Sequence, residues 1–250
     1  MLTFSNKIVL SNDKWIEKTE GGLLPPASLL LRFTDGYDLA SAYPNDECVQ
    51  LSTSPNIWRF TGKGQHTWTW LNLFKGNDYL LEVLDGNLAG IQDVEAMVKS
   101  CSNLTTFRIR NTSTVWYARF MFEWCSSLTK LYLFDTSNII DFGEFLQGCS
   151  SLVSLPNFDV SSANYLGSFC TQTAIKKIPQ LILPSVAPSN GNYRMFAFNH
   201  QVESGMVDMY NALSAIGVTA GEQFTQCGDQ TPSGIIERAQ IPSSWGGTGA

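Results

Sequence analysis

The middle of the chain repeats itself at a fixed interval. Cysteines stand at Cys101, Cys125 and Cys149, so the step is 24 in both directions (125 − 101 and 149 − 125). An apolar residue precedes each Cys by three positions, a Leu follows each by three, and looser copies extend the register to six units. A fixed period of ~20–50 residues is typical of solenoids. The predicted apolar ladder comprises Phe74, Val98, Phe122, Leu146, Phe169, Leu80, Leu104, Leu128, Leu152, Ile175, Cys101, Cys125 and Cys149.

Each repeat unit predicts one strand and one short helix. In the segment 126–133, Leu128, Leu131 and Leu133 alternate with Lys130 and Tyr132, which predicts a short strand with the leucines facing inward. The preceding apolar positions 118, 121, 122 and 125 keep helical spacing. A strand and a helix per ~24 residues lie within the leucine-rich-repeat range. The sequence therefore predicts an α/β solenoid of about six units over 70–202.

Three flanking segments complete the predicted organisation. Residues 1–26 form an N-terminal arm, either a frayed terminus or a segment that anchors the chain to a partner. Residues 27–69 predict a β-rich cap, because strand-like runs alternate with turn signals. Residues 203–250 predict a helical C-terminal cap and tail, with an apolar stripe at helical spacing. Terminal caps are expected, because an end unit cannot leave its apolar face exposed.

The cap at 27–69 is rich in tryptophan. Trp58 and Trp68, with Trp70 just beyond, offer large apolar areas. They close the end of the predicted solenoid, or they form an aromatic platform that binds sugars. The sequence leaves both interpretations open.

Composition narrows the classes of partner and compartment. The net charge of −6 disfavours nucleic acid, because phosphate binding needs a basic face. No apolar run reaches the ~18–20 residues that span a bilayer. The first residues lack the charged and apolar regions of a signal peptide, so we expect a protein made in a cytoplasm and not exported by that route. Six cysteines without a CxxC pair predict reduced, structural thiols and no zinc site.

The residue inventory does not favour an enzyme. His66 and His200 are the only histidines and lie in different regions, outside any recognisable Ser-His-Asp or Cys-His arrangement. No Gly-rich phosphate loop or HExxH motif is present. A pair of carboxyl groups that hydrolyses glycosides stays open, since spacing in sequence does not give separation in space. We expect no catalysis, no cofactor and no metal.

The outward strand positions predict a binding surface. Arg108, Arg110, Lys130 and Tyr132 fall on two adjacent units and form a basic and aromatic patch on an acidic protein. Such a patch suits an acidic glycan or a host surface protein. The alternative is a solvated strand face that only keeps the protein soluble.

The array resembles the BspA-like leucine-rich repeats. Their Met-Phe-x-x-Cys-x-x-Leu-x-x-Leu unit matches 121–131, and a Phe-Asp-Thr-Ser-Asn turn follows at 134–138. The wider layout is similar to a group of bacteriophage proteins, through Leu-Leu-Leu-Arg-Phe-x-Asp-Gly at 29–36, a helix entry at 201–205 and Ala-Gln-Ile-Pro-Ser-Ser-Trp at 239–245. This resemblance implies a virion or virion-associated interaction protein, with no known enzymatic activity.

We therefore expect a non-catalytic bacteriophage virion protein that mediates attachment or adhesion. The arm at 1–26 would dock on other virion proteins, and the strand face would meet a host surface glycan or protein. A head-fibre or tail-fibre position and a homo-oligomer such as a trimer both stay open. The alternatives are a bacterial cell-surface adhesin of the BspA type and a purely structural capsid, neck or tail component.

Overall fold

The computed structural model describes residues 8–11, 14–17, 26–188, 193–219 and 221–249. Strands β1 (Ile8–Ser11) and β2 (Lys14–Glu17) form an antiparallel pair of their own. These two strands are the part of the predicted arm for which the backbone is described before residue 26.

One mixed six-stranded sheet organises the rest, in the order β4-β5-β3-β6-β7-β8. Strands β3, β4, β5 and β6 pair antiparallel, whereas β6, β7 and β8 pair parallel. Strand β3 reads Ser-Leu-Leu-Leu-Arg-Phe and is buried along almost its whole length, as expected for a strand with neighbours on both edges. The strands are β3 (Ser28–Phe33), β4 (Glu47–Thr53), β5 (Asn56–Thr61), β6 (Leu80–Asn87), β7 (Thr106–Phe107) and β8 (Lys130–Leu131).

Three short α-helices are found in the described ranges. Helix α1 (Leu39–Ala42) begins at Asp38, whose carboxylate accepts two main-chain N–H groups. The predicted apolar stripe of Met206, Met209, Tyr210 and Leu213 lies on helix α2 (Met206–Ala215), which buries all of these residues except Tyr210, which is partly buried. Helix α3 (Pro232–Arg238) contributes Glu237, whose carboxylate accepts the N–H groups of Gly205 and Met206 at the start of α2. Short 3-10 turns cover Gly64–Thr67 and Ser243–Trp245.

The repeat spacing appears as contacts between equivalent positions. Parallel bridges join Thr69 to Asp93, Asp93 to Tyr117, Tyr117 to Asp141 and Asp141 to Tyr165. The thiols of the three repeat cysteines each donate to a carbonyl 27 residues earlier, over 3.0–3.1 Å. Neighbouring turns are therefore joined by hydrogen bonds as well as by packing.

The predicted α/β leucine-rich-repeat solenoid is nevertheless wrong. The structure contains one mixed sheet that is not built from repeated strand-and-helix units. No α-helix lies in the described part of 70–202, and the strands of the sheet end at β8. The residues at 118–125, predicted as a helix, form turns.

The backbone explains why the helix prediction failed. Phe120 and Trp124 have φ of 58° and 60°, the left-handed region that an α-helix cannot contain. The N–H of Phe122 therefore donates to the Phe145 carbonyl of the next turn, over 3.0 Å, and not to a residue four positions earlier. Tight turns bury apolar residues at the same spacing as a helix does. The apolar pattern alone therefore could not distinguish a helix from stacked turns.

The core follows the predicted ladder positions. All thirteen of those side chains are at most 1% exposed. Aromatic rings extend the core from one turn to the next, as between Phe122 and Phe145 at 5.2 Å and between Phe145 and Phe169 at 5.7 Å. Leu133, predicted to face inward, is 62% exposed, so that part of the alternation was wrong. All six cysteines are free thiols.

No helix in the described ranges is long and apolar enough to cross a membrane. Of the cap tryptophans, Trp58 is 6% exposed and Trp70 is fully buried, whereas Trp68 is 53% exposed. The indole N–H of Trp58 donates to Asn56 and that of Trp70 to the His66 carbonyl. The alternative of a three-tryptophan sugar platform is therefore wrong, because two of the rings are inside the protein.

Candidate functional site

Three of the four predicted binding residues meet on one strand face. Lys130 lies in β8, and Arg108 and Tyr132 directly follow β7 and β8. The guanidinium carbon of Arg108 is 5.7 Å from the centroid of the Tyr132 ring, within the range of a cation–π contact. Arg110 is different: it donates to Asp85 through Nε and Nη2, at 3.1–3.3 Å, so its charge already has a partner.

The main-chain ladder is interrupted immediately beyond this patch. The N–H of Arg108 donates to the Val83 carbonyl and that of Tyr132 to the Phe107 carbonyl, the same step back along the chain in both cases (108 − 83 and 132 − 107). The same step from position 156 leads to the Leu131 carbonyl, but Pro156 has no N–H to donate. Both segments are described in full, and no main-chain hydrogen bond joins 129–133 to 153–157. The interruption therefore coincides with a proline.

A groove lies where the main-chain pairing is interrupted, between 129–133 and 153–157, and we call this place the opening. Its first part has a volume of about 370 Å³ and lies between residues 129–132 of the β8 segment and residues 154–156. A second part of about 290 Å³ shares Ser154 and Leu155 with the first and reaches Lys176 and Lys177. A third part of about 200 Å³ continues from Lys177 to the start of α2. Neighbouring parts share lining residues, so the three lie side by side from β8 to α2, and we call them together the strand-face groove.

The strand-face groove is basic and partly apolar. In the described part of the chain, Arg108, Lys130 and Lys177 have no carboxylate within ion-pair distance, and we call these three residues the groove cations. Lys130 and Lys177 line the groove, whereas Arg108 adjoins it through its contact with the Tyr132 ring. Lys176 is 3.8 Å from Glu203, with both side chains more than half exposed, so that pair is weak. The Tyr132 ring is 47% exposed. On a chain of net charge −6, the groove cations and the exposed Tyr132 ring form a local basic and aromatic surface.

Both histidines contact aspartates that the sequence did not associate with them. The Nδ1 atom of His66 is 2.7 Å from an Asp46 carboxylate oxygen, and that of His200 is 2.7 Å from Asp229. Asp46 also accepts the N–H of Lys63, so it ties together the two loops that carry it and His66. A cavity of about 490 Å³ adjoins His66, but its lining, residues 42–46 and 63–66, contains no Ser, Thr or Cys nucleophile. This His–Asp pair therefore joins the loops at 42–46 and 63–66.

Four carboxylates, those of Asp93, Glu95, Asp141 and Glu144, gather on a different surface, near Arg119. The Arg119 guanidinium lies 3.3 Å from Glu144 and over the rings of Phe120 and Tyr165. Burial raises the pKa of Glu144 above its ordinary value, against the opposing effect of Arg119. Among the described residues, no group of three or more His, Cys, Asp or Glu side chains could hold a metal ion.

Comparisons with protein-family models, curated proteins and solved structures gave no match. They therefore add no support to the BspA-like resemblance. The chain is not a leucine-rich-repeat solenoid, and no match supports a bacteriophage origin or a place in a virion, head fibre or tail fibre.

Sequence reasoning missed the groove but not all of its residues. It placed Lys130 and Tyr132 on the outward face and left out Lys176. The sequence contained one sign of the interruption: Pro156 stands one repeat step after Tyr132 (156 − 132), at a position whose N–H would pair with the preceding strand. The pairing of Arg110 with Asp85 had no comparable signal, because it depends on the spatial neighbour of each side chain.

Proposed function

We propose that this chain is a non-catalytic attachment protein that binds an acidic partner through the strand-face groove. The observation that carries the proposal is the row of groove cations, Arg108, Lys130 and Lys177, along one face of an acidic protein. Cations without an ion-pair partner in the described part of the chain attract anions at long range and raise the rate of encounter. A solvated strand face would serve equally for solubility, and a measurement of binding separates the two.

The exposed ring supports binding rather than solubility alone. Tyr132 holds the Arg108 guanidinium over its face, which fixes the direction of a side chain that would otherwise sample many rotamers. A preorganised cation loses less conformational entropy when it meets a ligand. Val153, which is 49% exposed and lines the second part of the groove, offers further apolar surface for contact.

Biolayer interferometry with immobilised heparin tests the proposal. Heparin supplies a dense polyanion, and uncharged dextran supplies the matched surface without charge. We expect the wild type to bind heparin and not dextran, with an affinity that falls as salt is raised. Reversal of one charge in the groove, Lys130→Glu, should weaken binding to heparin about tenfold or more.

Lys75→Glu is the matched control. Lys75 is exposed and lies near Glu95, on the surface around Arg119. This variant makes the same change in net charge as Lys130→Glu, but outside the groove, and should bind as the wild type does. Equal loss in Lys75→Glu and Lys130→Glu would show only an effect of net charge and would contradict the proposal.

The location of the protein stays a prediction from the sequence resemblance. The prediction has three parts: the protein lies on a virion, the arm at 1–26 docks on other virion proteins, and the protein forms a homo-oligomer such as a trimer. Immunogold labelling of purified particles with an antibody against 70–202 would test it. Regular labelling at one position would support this location, and absence of the protein from particles would exclude it.

A further inference from the structure

We infer that the ligand of the strand-face groove is an acidic carbohydrate chain, held where Pro156 interrupts the sheet. This inference rests on the proposed function and adds the ligand's chemical class. It follows from three features of one place: an interrupted ladder, the row of groove cations and an exposed aromatic ring.

The interrupted ladder supplies a polar wall. Where the ladder is intact, the N–H of one segment reaches a carbonyl of the preceding strand, as from Tyr132 to Phe107 at 3.1 Å. At the opening, the Leu131 carbonyl lacks the equivalent main-chain donor because Pro156 takes the donor's position. A main-chain carbonyl at a groove accepts hydrogen bonds from ligand donors, and sugar hydroxyl groups are such donors.

The cations and the ring supply the other two contacts. Lys130 lies in the first part of the groove and Lys177 joins the second and third parts, so acidic groups spaced along a linear chain would meet successive cations. The exposed Tyr132 ring at the first part suits the C–H face of a sugar ring. A ligand with hydroxyl donors, apolar C–H faces and repeated carboxylates is an acidic oligosaccharide.

The pairing of the turns beside the opening argues against an acidic peptide added as a strand. An inserted strand needs ~4.8 Å on each of its edges, or about 10 Å between its neighbours. The N–H groups of Phe122 and Trp124 donate to the carbonyls of Phe145 and Gln147, over 3.0 and 2.7 Å, so the turns that lead into the two sides are already hydrogen-bonded to each other. The volume of about 370 Å³ lies within the ~300–1,000 Å³ of small-ligand sites.

Calorimetric titration of four proteins with two probes tests the inference. The probes are a linear oligomer of galacturonic acid and a poly-L-glutamate of similar charge. The proteins are the wild type, Pro156→Thr, Lys130→Glu and the control Lys75→Glu. Pro156→Thr restores an N–H at the opening and leaves every charge in place.

We expect the wild type to bind oligogalacturonate about tenfold or more tightly than poly-L-glutamate. Pro156→Thr should lose most oligogalacturonate binding while Lys75→Glu keeps it. Ser154→Trp, which fills the groove from an exposed position without changing the ladder, should lose it as well and covers the case in which Pro156→Thr misfolds.

The outcomes separate this inference from the proposed function. Full oligogalacturonate binding by both Pro156→Thr and Ser154→Trp would overturn the inference, and loss in Lys130→Glu alone would leave the proposed function standing. Tighter binding of poly-L-glutamate would also overturn it, in favour of an acidic peptide. No effect of Lys130→Glu on either probe would contradict the proposed function itself.

Discussion

The Arg108 guanidinium lies over the ring of Tyr132, 5.7 Å from its centroid, at the place where main-chain pairing is interrupted. The two residues stand one repeat step apart (132 − 108). The equivalent position one repeat step further is Pro156. Three equivalent positions in successive repeats therefore hold a cation, an aromatic ring and the proline at which the sheet is interrupted.

Removal of the ring should weaken binding without unfolding the protein. Tyr132→Ala deletes an exposed side chain and a cation–π contact worth about 0.5–1 kcal/mol, so we expect a several-fold loss of affinity for heparin and little change in melting temperature. Tyr117→Ala is the matched control, because Tyr117 is also exposed, at 42%, but lies outside the groove. A Tyr132→Ala protein that binds as the wild type does would show that the ring takes no part.

Loss of a buried amide should destabilise the protein strongly. Asn199 is fully buried; its amide donates to the carbonyls of Cys170 and Phe196 and accepts the N–H and hydroxyl of Thr173. Asn199→Leu removes these hydrogen bonds inside the core, and we expect a loss of about 2–4 kcal/mol in the free energy of unfolding. The measurement is urea denaturation followed by tryptophan fluorescence.

Asn138→Ala is the control for that experiment. Its exposed side chain donates a hydrogen bond to the Ser113 carbonyl, so the loss should be below about 1 kcal/mol. Equal losses in the two variants would show that the buried network adds nothing.

The thiols should be unreactive in the native protein. Burial, and then the Asp46 carboxylate, raise the pKa of Cys48 to about 11, and burial raises the pKa of Cys101 to about 12. Because the thiolate is the reactive form, iodoacetamide at pH 8 should label native protein far more slowly than protein in guanidinium. Labelling should accelerate as the pH approaches 11, first at Cys48, which is partly exposed. Native labelling at the unfolded rate, read by mass spectrometry, would contradict the burial.

Two carboxylates should make the protein less stable as the pH rises. Burial raises the pKa of Asp93, and burial followed by the nearby Asp93 and Asp141 carboxylates raises that of Glu95. A raised carboxyl pKa means that the folded state binds the proton more tightly than the unfolded state does. The resulting stability is complete below the unfolded pKa of about 4 and is lost as the pH rises through the folded pKa.

Glu95→Gln should therefore raise the melting temperature at pH 7 and flatten its decline between about pH 4 and pH 7. Asp35→Asn, at an exposed turn, is the control and should leave the profile unchanged. A profile for Glu95→Gln that coincides with the wild type would contradict the assignment.

The sequence predicted the core better than the path of the backbone. Repeated apolar positions such as Val98 and Phe122 identify which side chains are buried, because burial depends on periodicity that a helix and a stacked turn share. The left-handed backbone at Phe120 and Trp124 carries no such signal, since both are bulky residues that seldom adopt positive φ. Hydrogen bonds from one turn to the next favour that conformation, and a single sequence does not display them.

The candidate site could be predicted in part for the same reason. Alternation identified Lys130 and Tyr132 as outward residues, and the structure places both at the groove. It could not show that Asp85 neutralises Arg110, because that contact links two different turns of the chain through side-chain geometry. The groove lies where main-chain pairing between 129–133 and 153–157 is absent, and the sequence does not display that pairing.

Chemical-shift mapping tests the central claim most directly. Amide shifts of ¹⁵N-labelled protein would be followed during titration with the oligomer of galacturonic acid. We expect saturable shifts concentrated at Leu131, Tyr132 and Ser154, extending to Lys177 with longer oligomers and absent in Lys130→Glu. Shifts centred instead on the surface around Tyr117 and Arg119, or no shifts at millimolar oligomer, would contradict the claim that the strand-face groove binds an acidic carbohydrate.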